Sequence, residues 1–169
     1  YYDLDDYTIN NEHQITIGAL PAALFSQWLS SNRSLDINDF LTLENGRYLI
    51  QDEEDIFPLM AFGQNAGFHY RLTADLDLSS LPGYFIPLLK GDFDGGGHSI
   101  ANLNISSDAR TCVGFFGIVH DAVVQDLQIS GCDITGGMQT GAMAGMGTYH
   151  SRFRNCQASG NIHGGNMLI

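Results

Sequence analysis

The sequence predicts an all-β fold: a right-handed parallel β-helix, or solenoid, with short helices and an N-terminal cap region. Three observations lead to this prediction. Apolar and polar residues alternate with period two through much of residues 68–105, which is typical of half-buried strands. Glycine is frequent, with 20 residues in the chain, most of them after residue 91, and this indicates many tight turns. A six-residue segment also recurs at spacings of 24 and 29 residues, and such self-similarity indicates a solenoid.

The recurring segment sets the register that we expect between successive coils. Its three copies place one residue each at the same position: Leu103, Leu127 and Cys156. We therefore predict that these side chains stack in one core column. Glycine-containing segments lie between the copies and supply four repeat glycines: Gly114, Gly117, Gly141 and Gly145. A β-sandwich also fits alternating strands and turns, but it does not predict a repeat register.

Two regions are predicted, an N-terminal cap or flanking region over residues 1–46 and β-helix repeats over residues 47–169. Apolar residues at helical spacing predict an amphipathic helix over 21–32, which would cover the apolar end of the first coil. A second short helix is predicted over 55–63, with Asp55 as its N-cap and an inward apolar face.

The end of the chain predicts association. Residues 165–169 are mostly apolar and lack a cap signal. A solenoid that stops within a repeat exposes an apolar coil end and unpaired strand edges. We therefore expect the repeats to be truncated at the C-terminus and this coil end to be covered, most simply by self-association.

Composition excludes several kinds of partner. The net charge is −12, with 7 basic and 19 acidic residues, and such a surface repels nucleic acid and anionic membranes. No long apolar run predicts membrane insertion by this segment. The three cysteines form no Cys-x-x-Cys pair, which argues against a structural zinc site. We expect them as small core residues in successive coils, with a disulfide between neighbouring coils as the alternative.

Four aspartates are the best candidates for chemistry: Asp75, Asp77, Asp92 and Asp94. Each pair has i, i+2 spacing, which places both carboxylates on one face of a regular strand. If the pairs met, they could bind calcium or act as an acid/base set on a sugar. The alternative is that they accept hydrogen bonds from turn amides at coil corners, and we favour this interpretation. No other cofactor is predicted.

Three motifs together resemble the GLUG repeats of bacterial surface proteins. They are Leu-Thr-Ala-Asp-Leu-Asp-Leu-Ser at 72–79, Phe-Asp-Gly-Gly-Gly-His-Ser-Ile-Ala-Asn-Leu-Asn-Ile at 93–105 and Val-Gly-Phe-Phe-Gly-Ile-Val at 113–119. Such repeats occur in filamentous-haemagglutinin-like adhesins and in IgA-peptidase-type surface proteins, and the resemblance covers about residues 47–165. It implies a scaffold role for the turn motif Asp94, Gly95, Gly96, Gly97 and His98. The sequence departs from the family pattern at Gly96, where asparagine is usual, and in its degenerate last repeat.

The resemblance also implies a function. We expect a structural or adhesive segment of a bacterial cell-surface or secreted protein, located outside the cell and without enzymatic activity. Its expected partner is a protein or glycan of a host or neighbouring cell. Two alternatives stay open: a carbohydrate-active β-helix enzyme, either a polysaccharide lyase or a glycoside hydrolase, and a non-catalytic region of a surface peptidase. In the enzyme case the four aspartates should converge in a groove, whereas in a scaffold they should bind backbone amides.

Overall fold

The computed structural model describes residues 36–107 and 111–165, and the backbone of two short strands near the N-terminus. These strands, β1 (Tyr7–Ile9) and β2 (Ile15–Ile17), pair in antiparallel orientation. The helix predicted over 21–32 and the chain end after residue 165 lie outside the described residues.

The described part of the chain is dominated by short strands, which confirms the all-β prediction. One short helix, α1 (Leu59–Phe62), and two 3-10 turns, Ile37–Asp39 and Leu78–Ser80, interrupt them. The further strands are β3 (Leu43–Glu44), β4 (Arg47–Ile50), β5 (Tyr70–Leu72), β6 (Leu76–Asp77), β7 (Ile86–Leu89), β8 (Phe93–Asp94), β9 (Ser99–Ala101), β10 (Asn104–Ser107), β11 (Phe116–His120), β12 (Val123–Gln125), β13 (Gln128–Gly136), β14 (Ala144–Thr148), β15 (Arg152–Arg154) and β16 (Gln157–Gly164).

These strands form three sheets. Sheet 1 has the order β15-β12-β8-β5-β4-β3, and all its pairs are parallel except the β3–β4 hairpin at its end. In sheet 2, β13 pairs with β9, β10 and β16, and β6 pairs with β9, all in parallel. Sheet 3 has the parallel order β14-β11-β7. From β5 onward, the chain visits sheets 1, 2 and 3 in that order and then begins again.

The pairing register differs in part from the predicted one. Gln128 lies beside Gln157, so Leu127 and Cys156 share a register position as predicted. Asn104, however, lies beside Asp133, which places Leu103 beside Cys132 and not beside Leu127. The single column predicted for Leu103, Leu127 and Cys156 is therefore wrong at Leu103.

The physical reason for this difference is that two corners of the chain have the same local structure. Asn102 (φ 58°) precedes the buried Leu103, and Asp126 (φ 52°) precedes the buried Leu127. Asn and Asp enter the left-handed region more readily than most residues, because their short side chains hydrogen-bond locally. The two copies in the sequence therefore mark two different corners, whereas Asp126 and Asn155 (φ 49°) mark the same corner.

The core is one apolar cluster that includes residues from all three sheets. In sheet 1, the buried residues Tyr48, Tyr70, Phe93 and Val124 follow one another in register. The rings of Phe93 and Phe116 make an edge-to-face contact at 5.3 Å between centroids. Because strand side chains alternate, the residues that flank this buried row project outward.

The short helix differs slightly from its prediction. Ile56, Leu59 and Met60 are buried as predicted, but α1 begins at Leu59, after Pro58. Asp55 does not cap it, because the Asp55 carboxylate accepts a hydrogen bond from the Gln51 amide at 2.8 Å.

The three cysteines are free thiols, so the alternative of a disulfide between them is wrong. Cys132 is buried, and Cys112 and Cys156 are half-buried. Burial raises the pKa of the Cys112 and Cys132 thiols, which favours their protonated form.

Candidate functional site

The four candidate aspartates do not form one site. Asp77 lies in β6 of sheet 2, whereas Asp94 lies in β8 of sheet 1. The Asp75 carboxylate accepts a hydrogen bond from the Ser99 amide at 2.7 Å. These side chains therefore point to separate partners instead of converging.

Each of the other three carboxylates also accepts a hydrogen bond from a backbone amide. Asp77 accepts from the amide of Ser79 and from the side chain of Asn102, both at 2.9 Å. Asp92 accepts from Val123 at 2.8 Å, and Asp94 accepts from Gly96 at 3.0 Å. These are the contacts that a scaffold role requires.

The hydrogen bonds stabilise the ionised carboxylates. The Ser99 amide is the main cause of a lowered pKa at Asp75, and the Asn102 side chain is the main cause at Asp77. Within 36–107 and 111–165, no group of three or more His, Cys, Asp or Glu side chains is placed to hold a metal ion. Calcium binding at these aspartates stays the alternative to the favoured scaffold role.

The glycine-rich turn packs against the following passage of the chain. Gly95 donates its amide to Gln125 at 2.7 Å, and Gly97 donates to Asp126 at 2.9 Å. A Cβ atom on Gly95 would lie 2.6 Å from the Cα of Leu127. Gly96 and Gly97 have φ angles of 62° and 82°, which glycine adopts without steric cost. The turn therefore needs glycine for close contact and for backbone conformation.

The repeat glycines occupy matching positions in sheet 3 and in the segment that leads into it. Phe116 lies beside Ala144, so Gly117 and Gly145 are register partners. Gly114 and Gly141 lie side by side in the segments just before these strands. A Cβ atom on Gly117 would lie 2.7 Å from the carbonyl oxygen of Pro87, and one on Gly114 would lie 2.5 Å from that of Gly141. These positions permit close contact between backbones of neighbouring strands.

The structure also contains a groove that sequence patterns did not indicate. It has a volume of about 350 Å³ and lies beside the β3–β4 hairpin, between the hairpin and the glycine-rich turn. The residues on its walls include Glu44, Asn45, Arg47, Leu49, Arg71 and His98. The hairpin turn owes its shape to Asn45 and Gly46, whose φ angles are 50° and 78°. We call this feature the arginine groove.

The arginine groove brings together cationic side chains that are far apart in the sequence. Arg47 lies in β4 and donates a 3.4 Å hydrogen bond to the Tyr70 carbonyl oxygen. Arg71 is exposed, and within the described part of the chain its side chain has no hydrogen bond or ion pair. His98 lies with its Nδ1 atom 3.5 Å from an oxygen of Asp75. The site therefore offers one guanidinium with all its donors free and a second with only one weak contact.

The outer face of sheet 1 holds a large share of the positive charge. Of the seven basic residues in the chain, four project from this face: Arg47, Arg71, Arg152 and Arg154. Register partners connect Arg71 to Arg154 through Asp94 and Gln125. The two arginines of β15 therefore lie on the same face as the groove but three strands away from Arg71.

Comparisons with known proteins give one informative similarity. The chain is 32% identical to Halomucin from Haloquadratum walsbyi (strain DSM 16790 / HBSQ001) over 116 residues, which cover 59% of this chain and 1% of halomucin. No family model matches the chain, and no solved structure matches it. Among the described residues, no helix has the length and apolar character needed to cross a membrane. The chain is thus similar to a short stretch of a far longer protein.

Proposed function

We propose that this chain is a structural and adhesive segment of a cell-surface or secreted protein, built as a right-handed parallel β-helix. The observation that carries this proposal is the repeated order in which the chain visits three sheets with parallel pairing. Partners in neighbouring passages lie 22–31 residues apart, as between Tyr48 and Tyr70 or between Asp94 and Gln125. A chain that winds in stacked coils accounts for both the order and the spacing.

The contacts of the aspartates favour a scaffold over a catalyst. Hydrolysis or elimination on a sugar needs carboxylates that face a common substrate. Here Asp75, Asp77, Asp92 and Asp94 each accept a hydrogen bond from a backbone amide, and they belong to different parts of the fold. A polysaccharide lyase or glycoside hydrolase is the second proposal, and its test is given below.

Two sequence similarities support a location at the cell surface or outside the cell. The resemblance to GLUG repeats supports membership of the adhesin or surface-peptidase class, including the case of a non-catalytic region of a peptidase. The similarity to halomucin, whose name denotes a mucin, supports an extracellular location and a parent protein that is much longer than this chain. Both similarities concern location and architecture.

Surface labelling tests the proposed function. Intact cells that produce the parent protein are treated with an antibody raised against this chain, and permeabilised cells and cells without the gene serve as controls. We expect labelling of the intact cells, and we expect external protease to remove it. Labelling that appears only after permeabilisation would contradict a surface role.

An assay for cleavage separates the scaffold from the enzyme. The purified chain is incubated with pectate, alginate and neutral polysaccharides, and new reducing ends and unsaturated products are measured. We expect no turnover. Turnover that is lost in Asp92→Asn or Asp75→Asn would establish the enzyme interpretation instead.

A further inference from the structure

We propose that the arginine groove binds the carboxylate of an acidic sugar through Arg47 and Arg71. This inference rests on the proposed adhesive function and gives its ligand a chemical class, a glycan that carries uronic acid residues. None of the four candidate aspartates contacts the ligand in this inference, since each already accepts a hydrogen bond from a backbone amide.

The two guanidinium groups project from neighbouring strands on the same face of sheet 1. Tyr48 and Tyr70 are register partners, so Arg71 lies beside Leu49, and Arg47 lies two residues before Leu49 on the same outward side. Adjacent strands are about 4.8 Å apart, which allows both side chains to reach one bound group. The planar fork of arginine matches the two oxygens of a carboxylate, and each charge-assisted hydrogen bond is stronger than a neutral one.

Within the described ranges, neither guanidinium is held in an ion pair by a neighbouring carboxylate. Glu44 and Asp94 are near Arg47 and Arg71 in register, yet no ion pair links either acid to either arginine among the described residues. Arg71 is exposed and has no protein partner in that part of the chain. A chain with a net charge of −12 thus keeps free guanidinium donors in a groove. An anionic group from a ligand would provide the missing acceptor.

The other residues on the groove wall suit the rest of a sugar ligand. Glu44 on the groove wall can accept hydrogen bonds from sugar hydroxyls, whereas the ionised side chains of an acidic peptide offer it no donor. Asn45 offers both a donor and an acceptor, and the half-buried Leu49 offers an apolar surface for the C–H face of a sugar ring. The acidic remainder of the chain disfavours polymers with dense negative charge such as nucleic acids. A uronic acid residue, which carries one carboxylate among several hydroxyl groups, fits all these groups.

His98 is a further donor at the end of the groove that borders the glycine-rich turn. Its Nδ1 atom lies 3.5 Å from Asp75, which orients the imidazole ring, and the side chain is only about one-third exposed. We assign His98 a hydrogen bond to the same sugar residue. His98→Ala should therefore weaken binding less than loss of either arginine.

Calorimetric titration with a galacturonate hexamer, at about 20 mM salt to limit screening, tests the proposal. The wild-type chain is compared with Arg47→Gln and Arg71→Gln, and Arg154→Gln is the matched control on the same sheet face outside the groove. The fully methyl-esterified hexamer tests the need for the carboxylate, and hexaglutamate tests an acidic peptide as the ligand. Thermal melts of each variant show whether the fold is retained.

We expect the wild-type chain and Arg154→Gln to bind the galacturonate hexamer equally. Arg47→Gln and Arg71→Gln should each weaken binding by about tenfold to a hundredfold, which is the range for loss of a charge-assisted hydrogen bond. The methyl ester and hexaglutamate should bind at least tenfold more weakly than galacturonate.

Four results would overturn this inference. The first is no binding of galacturonate at millimolar concentration, and the second is unchanged affinity in both groove variants. The third is equal weakening by Arg154→Gln, which would indicate diffuse electrostatic attraction, and the fourth is equal affinity for hexaglutamate, which would indicate a peptide site. None of these results affects surface labelling of intact cells, so failure of the ligand assignment is distinguishable from failure of the proposed function.

Discussion

Replacing Gly95 by alanine tests the contact between the glycine-rich turn and the next passage of the chain. The new Cβ would lie 2.6 Å from the Cα of Leu127 and in contact with the carbonyl oxygen of Asp126. Both are backbone atoms, so no side chain can rotate away and the two segments must separate. Overpacking of this kind costs about 1–3 kcal/mol, and we expect the upper end because backbone must move. Loss of glycine's freedom in the unfolded chain offsets about 0.4–1 kcal/mol.

The expected net effect of Gly95→Ala is therefore a loss of about 2 kcal/mol in the free energy of unfolding. Gly97→Ala is the matched control, because the space around its Cβ is empty and only the φ of 82° opposes alanine. That conformation costs about 1–2 kcal/mol, and the same unfolded-state term reduces the net loss to about 0–1.6 kcal/mol. Urea unfolding followed by circular dichroism measures both values. Equal losses, or a larger loss for Gly97→Ala, would refute the close contact.

Three further predictions concern the core, the carboxylates and calcium. Leu127→Asp should abolish cooperative thermal unfolding, because an unpaired carboxylate at this fully buried position costs several kcal/mol. The control Leu127→Met should still melt cooperatively. Unchanged melting of the aspartate variant would contradict the burial of Leu127. Hydrogen bonds lower the pKa of Asp75 and Asp77 in the folded chain, so their stabilisation is complete above the unfolded value of about 3.9 and is lost as the pH falls through the lower folded values. The double variant Asp75→Asn/Asp77→Asn should therefore lose less free energy of unfolding between pH 6 and pH 3 than the wild type, as measured by urea unfolding at each pH. If the variant and the wild type lost the same amount, the result would count against these hydrogen bonds. We expect the same melting temperature in EDTA and in millimolar calcium, since each candidate carboxylate already accepts an amide hydrogen bond. A rise of several degrees in calcium would establish a metal site, because a bound ion stabilises the folded chain by mass action.

The predicted short helix shows how far local signals extend. The apolar spacing in 55–63 correctly placed Ile56, Leu59 and Met60 in the core, because burial of an apolar face follows from helical periodicity. The N-cap was wrong, since the Asp55 carboxylate binds the Gln51 amide four residues earlier. Periodicity fixes which face is buried, but competing local hydrogen bonds decide where the helix begins.

The arginine groove shows what spacing alone could not predict. Arg47, Arg71 and His98 are separated by 24 and 27 residues, and no motif connects them. They meet because β4 and β5 pair in register and the glycine-rich turn follows the next strand of the same sheet. The unusual number of arginines on one face of an acidic chain was visible only after the register of sheet 1 was known.

The sequence by itself determined that this protein is all-β, because period-two alternation and glycine-marked turns are local properties of the chain. It also determined that Leu127 and Cys156 share a register position, since their repeats mark the same corner. Only the tertiary structure decided that Leu103 pairs beside Cys132, and that the aspartates are distributed between sheets. The physical reason is that passages vary from 22 to 31 residues in length and that two corners share one left-handed Asn or Asp followed by a buried leucine. Local sequence specifies each corner, and only backbone pairing between passages specifies which corners stack.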